Sequence, residues 1–212
     1  MSAQPSVPAE ASLEAGGHVK GLAIAIVRQN KDDSGQASVR VSYPWHSRPR
    51  ESYPARIAVP MAGSNRGTYF VPEIGDEVLV GFDRGDLRHP YVVGCLWNGA
   101  DPSPEKNADG RNDRRVIRSR KGHELAFDDG DRGSVRLQLN DGKRLLIDDD
   151  QVTLDDGKGN RLEIRTNDGS VTLESIGTLT LKGATVSIQA TGSLDLKSGA
   201  TASLSGTLVR IN

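Results

Sequence analysis

The sequence predicts an all-β protein in two parts: a small closed or nearly closed barrel, then a repetitive fibrous prism built by several copies of the chain. Three observations predict it. Short alternating apolar segments fill residues 18–100 between Gly, Asp and Pro clusters. Eight of the nine aromatic residues lie between Tyr43 and Trp97, and the ninth is Phe127. From Leu137 to Ile211 apolar pairs spaced two apart recur in ten rungs.

Each element follows from local pattern. Segments 21–30, 37–44, 55–62, 76–83 and 90–98 alternate, carry β-branched residues and end at turn-forming clusters, which is the signature of strands. Five short strands in so little chain suit a small barrel. Pro60 lacks an N–H for the ladder, so the third strand is expected to end or bulge there. Cys95 alternates with Val93 and Trp97 and is expected to be a buried small hydrophobe. Residues 101–122 are rich in Pro, Asp, Asn and Gly and are expected to be a linker. Its basic cluster (Arg111, Arg114, Arg115, Arg118, Arg120, Lys121) is expected to form a solvated or intersubunit surface. Residues 1–17 are expected to be a flexible N-terminal segment.

The rungs of residues 123–212 are Leu137/Leu139, Leu145/Ile147, Val152/Leu154, Leu162/Ile164, Val171/Leu173, Leu179/Leu181, Val186/Ile188, Leu194/Leu196, Ala202/Leu204 and Val209/Ile211. Period-two pairs turn one face of each short strand inward. A repeat near eight residues is too short for a helical solenoid or a propeller blade. Two apolar side chains per rung do not enclose a core within one chain. Pooling the inward faces of several copies does, and closing the sheets removes exposed edges. Three is the smallest number of faces that closes a prism, so a homotrimer is expected. Its core would hold Leu179, Leu181, Val186, Ile188, Leu194, Leu196, Leu204, Val209 and Ile211. Leu194→Asp is expected to block assembly by placing three carboxylates near one axis. A single-chain β-helix is the competing reading.

Bulk numbers exclude several classes. Net charge is −1, which argues against a dedicated nucleic-acid binder. One cysteine excludes an internal disulfide. No apolar run is long enough to span a bilayer. The N-terminus shows no basic region followed by an apolar one, so no signal peptide is expected and synthesis is expected in a cytoplasm.

The segment Gly75–Asn98, GDEVLVGFDRGDLRHPYVVGCLWN, resembles the phage baseplate assembly protein V and VgrG-type central spike family. The motif residues stand here as Gly75, Asp76, Glu77, Val78, Gly85, Asp86, Pro90, Gly94 and Asn98. Ser119–Gln138 resembles the join between barrel and β-helix in that family. The resemblance implies an oligosaccharide/oligonucleotide-binding-type (OB) barrel followed by an intertwined trimeric β-helix or β-prism. It further implies a structural, membrane-piercing spike in the tail baseplate of a phage or other contractile injection particle. Its OB end would dock on a baseplate hub protein, and its C-terminal end would receive a PAAR-type tip. On sheath contraction it would puncture the target cell envelope. The chain resembles the stand-alone version, since only a short segment precedes the barrel. The 101–122 gap leaves no room for a lysozyme domain. No histidine follows His123, so an apical iron is not expected.

No catalytic, cofactor or metal site is expected. His18, His46, His89 and His123 show no zinc-binding spacing. His46 and His89 read as packed or surface residues. Asp128/Asp129, Asp148–Asp150 and Asp155/Asp156 sit at Gly-containing corners and read as turn residues. Two rival functions stand beside the spike. An OB-type module for single-stranded nucleic acid or glycan would use Tyr43, Trp45, Tyr53 and Tyr69 with Arg48, Arg50 and Arg56. A polysaccharide hydrolase would need paired carboxylates beside aromatic subsites, and the tail holds no aromatic beyond Phe127.

Overall fold

The computed structural model describes residues 19–46 and 51–211. The expected flexible segment 1–17, together with His18, Arg48, Arg50 and Asn212, lies outside them. The chain divides into two units, Met1–Ala108 and Asp109–Asn212. Among the described residues, regular structure is all β apart from one short 3-10 turn, Asp83–Gly85.

In the first unit, alternating apolar residues generate a five-stranded sheet. Its strands are β1 (Ala23–Gln29), β2 (Arg40–Ser42), β3 (Arg56–Ile57), β6 (Glu77–Phe82) and β7 (Pro90–Cys95), in the order β2-β1-β6-β7-β3. Only β3 and β7 run parallel. The two outer strands then meet: Val39 N–H donates to Ala55 O at 2.9 Å, and Ala55 N–H donates to Val39 O at 2.8 Å. This pair curls the sheet round its core, so edge hydrogen bonds are used rather than left open. The core is almost entirely small and β-branched: Ala25, Val27, Val39, Val41, Ala55, Val78, Val80 and Val92, with Tyr43 at one side. Such compact side chains fill a narrow barrel interior without strain.

The third strand stops at Ile57, ahead of Pro60, and Ala58 N–H still reaches Val92 O at 2.8 Å. A hairpin that the pattern did not suggest follows, β4 (Ala62–Gly63) with β5 (Arg66–Gly67). Gly67 has φ +150, and a Cβ there would lie 2.5 Å from Met61 O. Only glycine fits.

Cys95 is exposed, contrary to the expectation of burial. Val93 and Trp97, grouped with it by alternation, are exposed as well, and the buried residues of the strand are Pro90 and Val92. The β6–β7 register also slips between Leu79 and Val80, so Val80 pairs with Val92 while Leu79 pairs with Gly94, and Val93 is the extra residue of a bulge. Cys95 ends its strand opposite Val78.

The second unit is an antiparallel meander of seven strands in sequence order: β8 (Arg114–Arg118), β9 (Glu124–Asp128), β10 (Ser134–Gln138), β11 (Arg144–Asp148), β12 (Gln151–Asp155), β13 (Arg161–Arg165) and β14 (Val171–Glu174). Strand β8 falls inside the segment expected to be a linker. Periodicity alone predicts that each early rung winds around an axis with other chains; here each strand pairs with its own chain's neighbours. Turn chemistry explains the difference. Asp148 Oδ1 accepts from the N–H of Asp150 and Gln151, Asp156 Oδ1 from Lys158 and Asn160, and Asp168 Oδ1 from Ser170. Gly142, Gly157 and Gly169 supply the positive φ that tight corners need. Residues 175–211 form no strand.

Candidate assembly surface

The register of the meander sorts its side chains into two faces. On one face two cross-strand rows run from edge to edge. The first row is Ile117, Leu125, Leu137, Leu145, Leu154, Leu162 and Leu173. The second is Arg115, Phe127, Val135, Ile147, Val152, Ile164 and Val171. Thirteen of these fourteen are apolar, and none is buried within the chain. Leu154 is 56% exposed and Val171 65%. Strand β10 offers Val135 and Leu137 to this face; Leu139, expected to pair with Leu137, lies beyond the strand in the hairpin turn. A continuous apolar face of this extent on a single-layer sheet marks an interaction surface.

The opposite face is polar and knitted by ion pairs. Glu124 has a side chain only 9% exposed. Its carboxylate accepts from Arg118 Nε at 2.9 Å and Nη2, and from Arg136 Nη2 at 2.6 Å, while Arg114 Nη2 lies 3.6 Å away. Hydrogen bonding from Arg118, aided by Arg136, holds its pKa below the usual glutamate range against the opposing effect of burial. Glu163 similarly lies between Arg161 and Arg165. Ala126 and Thr153 are buried on the charged side. Most of the basic cluster is spent in such pairs: Arg111 with Asp109 and Asp113, Arg114 with Glu124 and Asp128, Arg115 with Asp129, and Arg118 with Glu124.

The predicted core residues of the tail are all exposed in the single chain, from Val209 at 43% to Ile211 at 88%. Among the described residues, 175–211 make no backbone–backbone hydrogen bond. Sequence periodicity found four of the rung pairs on the apolar face: Leu145/Ile147, Val152/Leu154, Leu162/Ile164 and Val171/Leu173. It missed the first apolar strand of the face, Leu125–Phe127, although HELAFDDG carries the same alternation.

In the first unit the motif residues shape the β6–β7 hairpin. Gly75, at φ +103, donates its N–H to Val27 O at 2.9 Å. Asp76 accepts the N–H of Glu73 on Oδ2 at 2.8 Å, and Val78 lies in the core. Glu77 O accepts from Leu96 N–H at 2.9 Å, and its carboxylate accepts from Asn98 Nδ2 at 3.3 Å. Asn98 Oδ1 in turn accepts from Ala100 and Asp101, capping the strand exit. At the other end Gly85 O accepts from Val19 N–H, Asp86 pairs with Arg88 at 2.7 Å, and buried Pro90 opens β7. Gly94 sits opposite Leu79 at the bulge. These residues set turns and register. Among the described residues no group of three or more His, Cys, Asp or Glu is placed to hold a metal ion.

The aromatic platform required by the binding-module reading does not form as drawn. Tyr43 is in the core, 5.2 Å from the Trp45 ring and 5.8 Å from Phe82, and burial pushes its phenol up to about 12. Arg56 stacks over Tyr91 and donates to its hydroxyl at 2.7 Å.

Comparison with known proteins matches residues 23–97 to the type VI secretion system/phage-baseplate injector OB domain. In this region the chain is similar to VgrG-type spike proteins. Similar proteins include the type VI secretion system spike protein VgrG4b of Pseudomonas aeruginosa, 33% identical over 109 residues, covering 42% of this chain and 13% of that protein. The spike protein VgrG3 of Vibrio cholerae is 31% identical over 110 residues, covering 48% and 11%. The actin cross-linking toxin VgrG1 of Vibrio cholerae is 28% identical over 133 residues, covering 58% and 12%. The match thus spans only 11–13% of each of these relatives. No helix among the described residues is long and apolar enough to cross a membrane.

Proposed function

We propose that the chain is a structural, non-enzymatic spike component of a contractile injection apparatus, acting as a homotrimer. The observation that carries this reading is the two-row apolar face of the meander, joined in one chain to an injector OB domain. Three copies presenting this face to a common axis would bury it, and the charged face with its Glu124 and Glu163 knots would remain in water. The rows continue from strand to strand with a single charged member, Arg115, at one edge, which suits a packed shaft rather than a polar channel or cleft.

In this reading residues 18–100 are the docking domain and 123–212 the shaft, with the intertwined β-helix confined to the tail beyond Glu174. The OB end seats on a baseplate hub, the far end receives a PAAR-type tip, and sheath contraction drives the assembly into the target envelope. Short strands hydrogen-bonded along their length leave few flexible joints under axial load. Electron microscopy of the purified protein tests the reading: it predicts slender, three-fold symmetric rods with a knob at one end. Compact single-chain particles would refute it.

A further inference from the structure

The two rims of the meander carry opposite charge. The strands reverse at 119–123, 139–143 and 156–160 along one rim, and at 129–133, 149–150 and 166–170 along the other. Turns of the first rim hold Arg120, Lys121, Lys143 and Lys158 against Asp141 and Asp156, a net charge of +2. Turns of the second hold Asp129, Asp131, Asp149, Asp150 and Asp168 against Arg132, a net charge of −4. Charges at the strand ends cancel on both rims: Arg118, Arg144 and Arg161 against Glu124, Asp155 and Glu174, and Arg114 and Arg165 against Asp128 and Asp148. Ion pairs within the chain engage part of each set: Lys143 with Asp141, Arg132 with Asp150, and Arg115 of the apolar face with Asp129. The difference in sign survives them. It also lies at the margins of the apolar face, where a neighbouring sheet packed on the same axis comes closest.

We propose that these rims are a contact between copies: the acidic rim of each chain lies along the basic rim of the next, around an axis parallel to the apolar rows. This rests on the homotrimer reading and names the surface that orients its members. Rotation about such an axis brings unlike rims together at every corner, and a contact of this head-to-tail kind closes into a ring. A two-fold axis along the strands would instead set acidic rim on acidic rim, which like-charge repulsion disfavours. The spacing of the turns fits the same arrangement. In a meander the turns alternate between rims, so turn 129–133 stands at a height between 119–123 and 139–143, and turn 149–150 between 139–143 and 156–160. Each acidic turn of one copy therefore meets a gap between two turns of the opposing rim. Asp131 falls near the level of the neighbour's Lys121, and Asp149 and Asp150 near that of its Lys158. The apolar face supplies the burial, and the rims supply the direction.

Charge reversal in the full-length protein tests this, with light scattering to follow the mass as urea is raised. One variant carries Asp131→Lys, Asp149→Lys and Asp150→Lys, which makes both rims positive. A second carries Arg120→Glu, Lys121→Glu and Lys158→Glu, which makes both negative. All six are exposed turn residues, where substitution disturbs the fold least. Each variant alone is expected to lose the three-fold mass at lower urea than the wild type. Uniting both sets exchanges the signs of the rims and is expected to restore the wild-type midpoint, which a merely structural role of the six residues would not do. Because a variant can also misfold, the wild type in sodium chloride from about 50 to 500 mM gives a second measurement: screening of the rims must lower its midpoint. Single-set variants that dissociate with the wild type, a combined variant with wild-type strand content that is not restored, or a wild type indifferent to salt overturns the rim contact. A wild type that shows no three-fold mass in the absence of urea overturns the homotrimer reading itself.

Discussion

Leu137 lies directly across from Leu145 in the β10–β11 hairpin, and within one chain both remain exposed, at 49% and 36%. The pair shows the character of the whole meander: strand pairing is complete, side-chain burial is not. Leu137→Ala would remove packing that only an assembly provides. For a Leu buried in that assembly the loss is about 2–5 kcal/mol per copy. We expect the midpoint of trimer dissociation in urea to fall, while unfolding of the barrel is unchanged. A coupled fall of both transitions would contradict the assignment of Leu137 to an intermolecular core.

Gly67 tests the barrel's hairpin. Its φ of +150, and the mere 2.5 Å that would separate an added methyl from Met61 O, leave no space for a side chain. Gly67→Ala should cost about 1–3 kcal/mol of local strain and raise amide exchange at Thr68, whose N–H donates to Met61 O at 3.0 Å. Unaltered exchange would show that the turn relaxes freely.

Glu124 makes the charged face pH-sensitive. Its folded-state pKa is depressed below the ordinary 4.5, so its contribution is fully present above that value and is lost as pH falls through the depressed pKa. Glu124→Gln should therefore lower thermal stability at neutral pH, and the gap between variant and wild type should close as the pH drops below 4.5. A gap that persists unchanged into strong acid would mean that the carboxylate charge is not what holds Arg118 and Arg136.

Cys95 offers a direct check of which face of β7 points outward. The thiol is exposed, while partial burial and the charge of Asp76 hold its pKa above the usual cysteine value. The native protein should react with a maleimide without denaturant, with a rate that climbs steeply on the alkaline side. A requirement for unfolding would restore Cys95 to the barrel interior.

These positions also show what can be read from sequence. The barrel strands are legible because Val and Ala alternate through Ala23–Gln29 and Glu77–Phe82, and because Pro60 and Pro90 punctuate them. The meander pairs from Leu145/Ile147 to Val171/Leu173 are legible for the same reason. What periodicity does not decide is whether a rung winds forward or folds back, since both place a residue pair on one face at similar intervals. The deciding signal is the Asp-Gly corner, which reads as a turn but not by itself as a reversal. Cys95 is misplaced by pattern alone because alternation groups it with Val93 and Trp97 but does not say which face is the inner one, and all three are exposed. The β4–β5 hairpin escapes detection because two-residue strands hold no periodicity.

The solution mass of the purified protein, by light scattering after size exclusion, tests the central claim most directly. A mass three times 22.7 kDa is predicted. A folded monomer of 22.7 kDa would contradict it, because the apolar rows of the meander would then have to be covered by something other than copies of this chain.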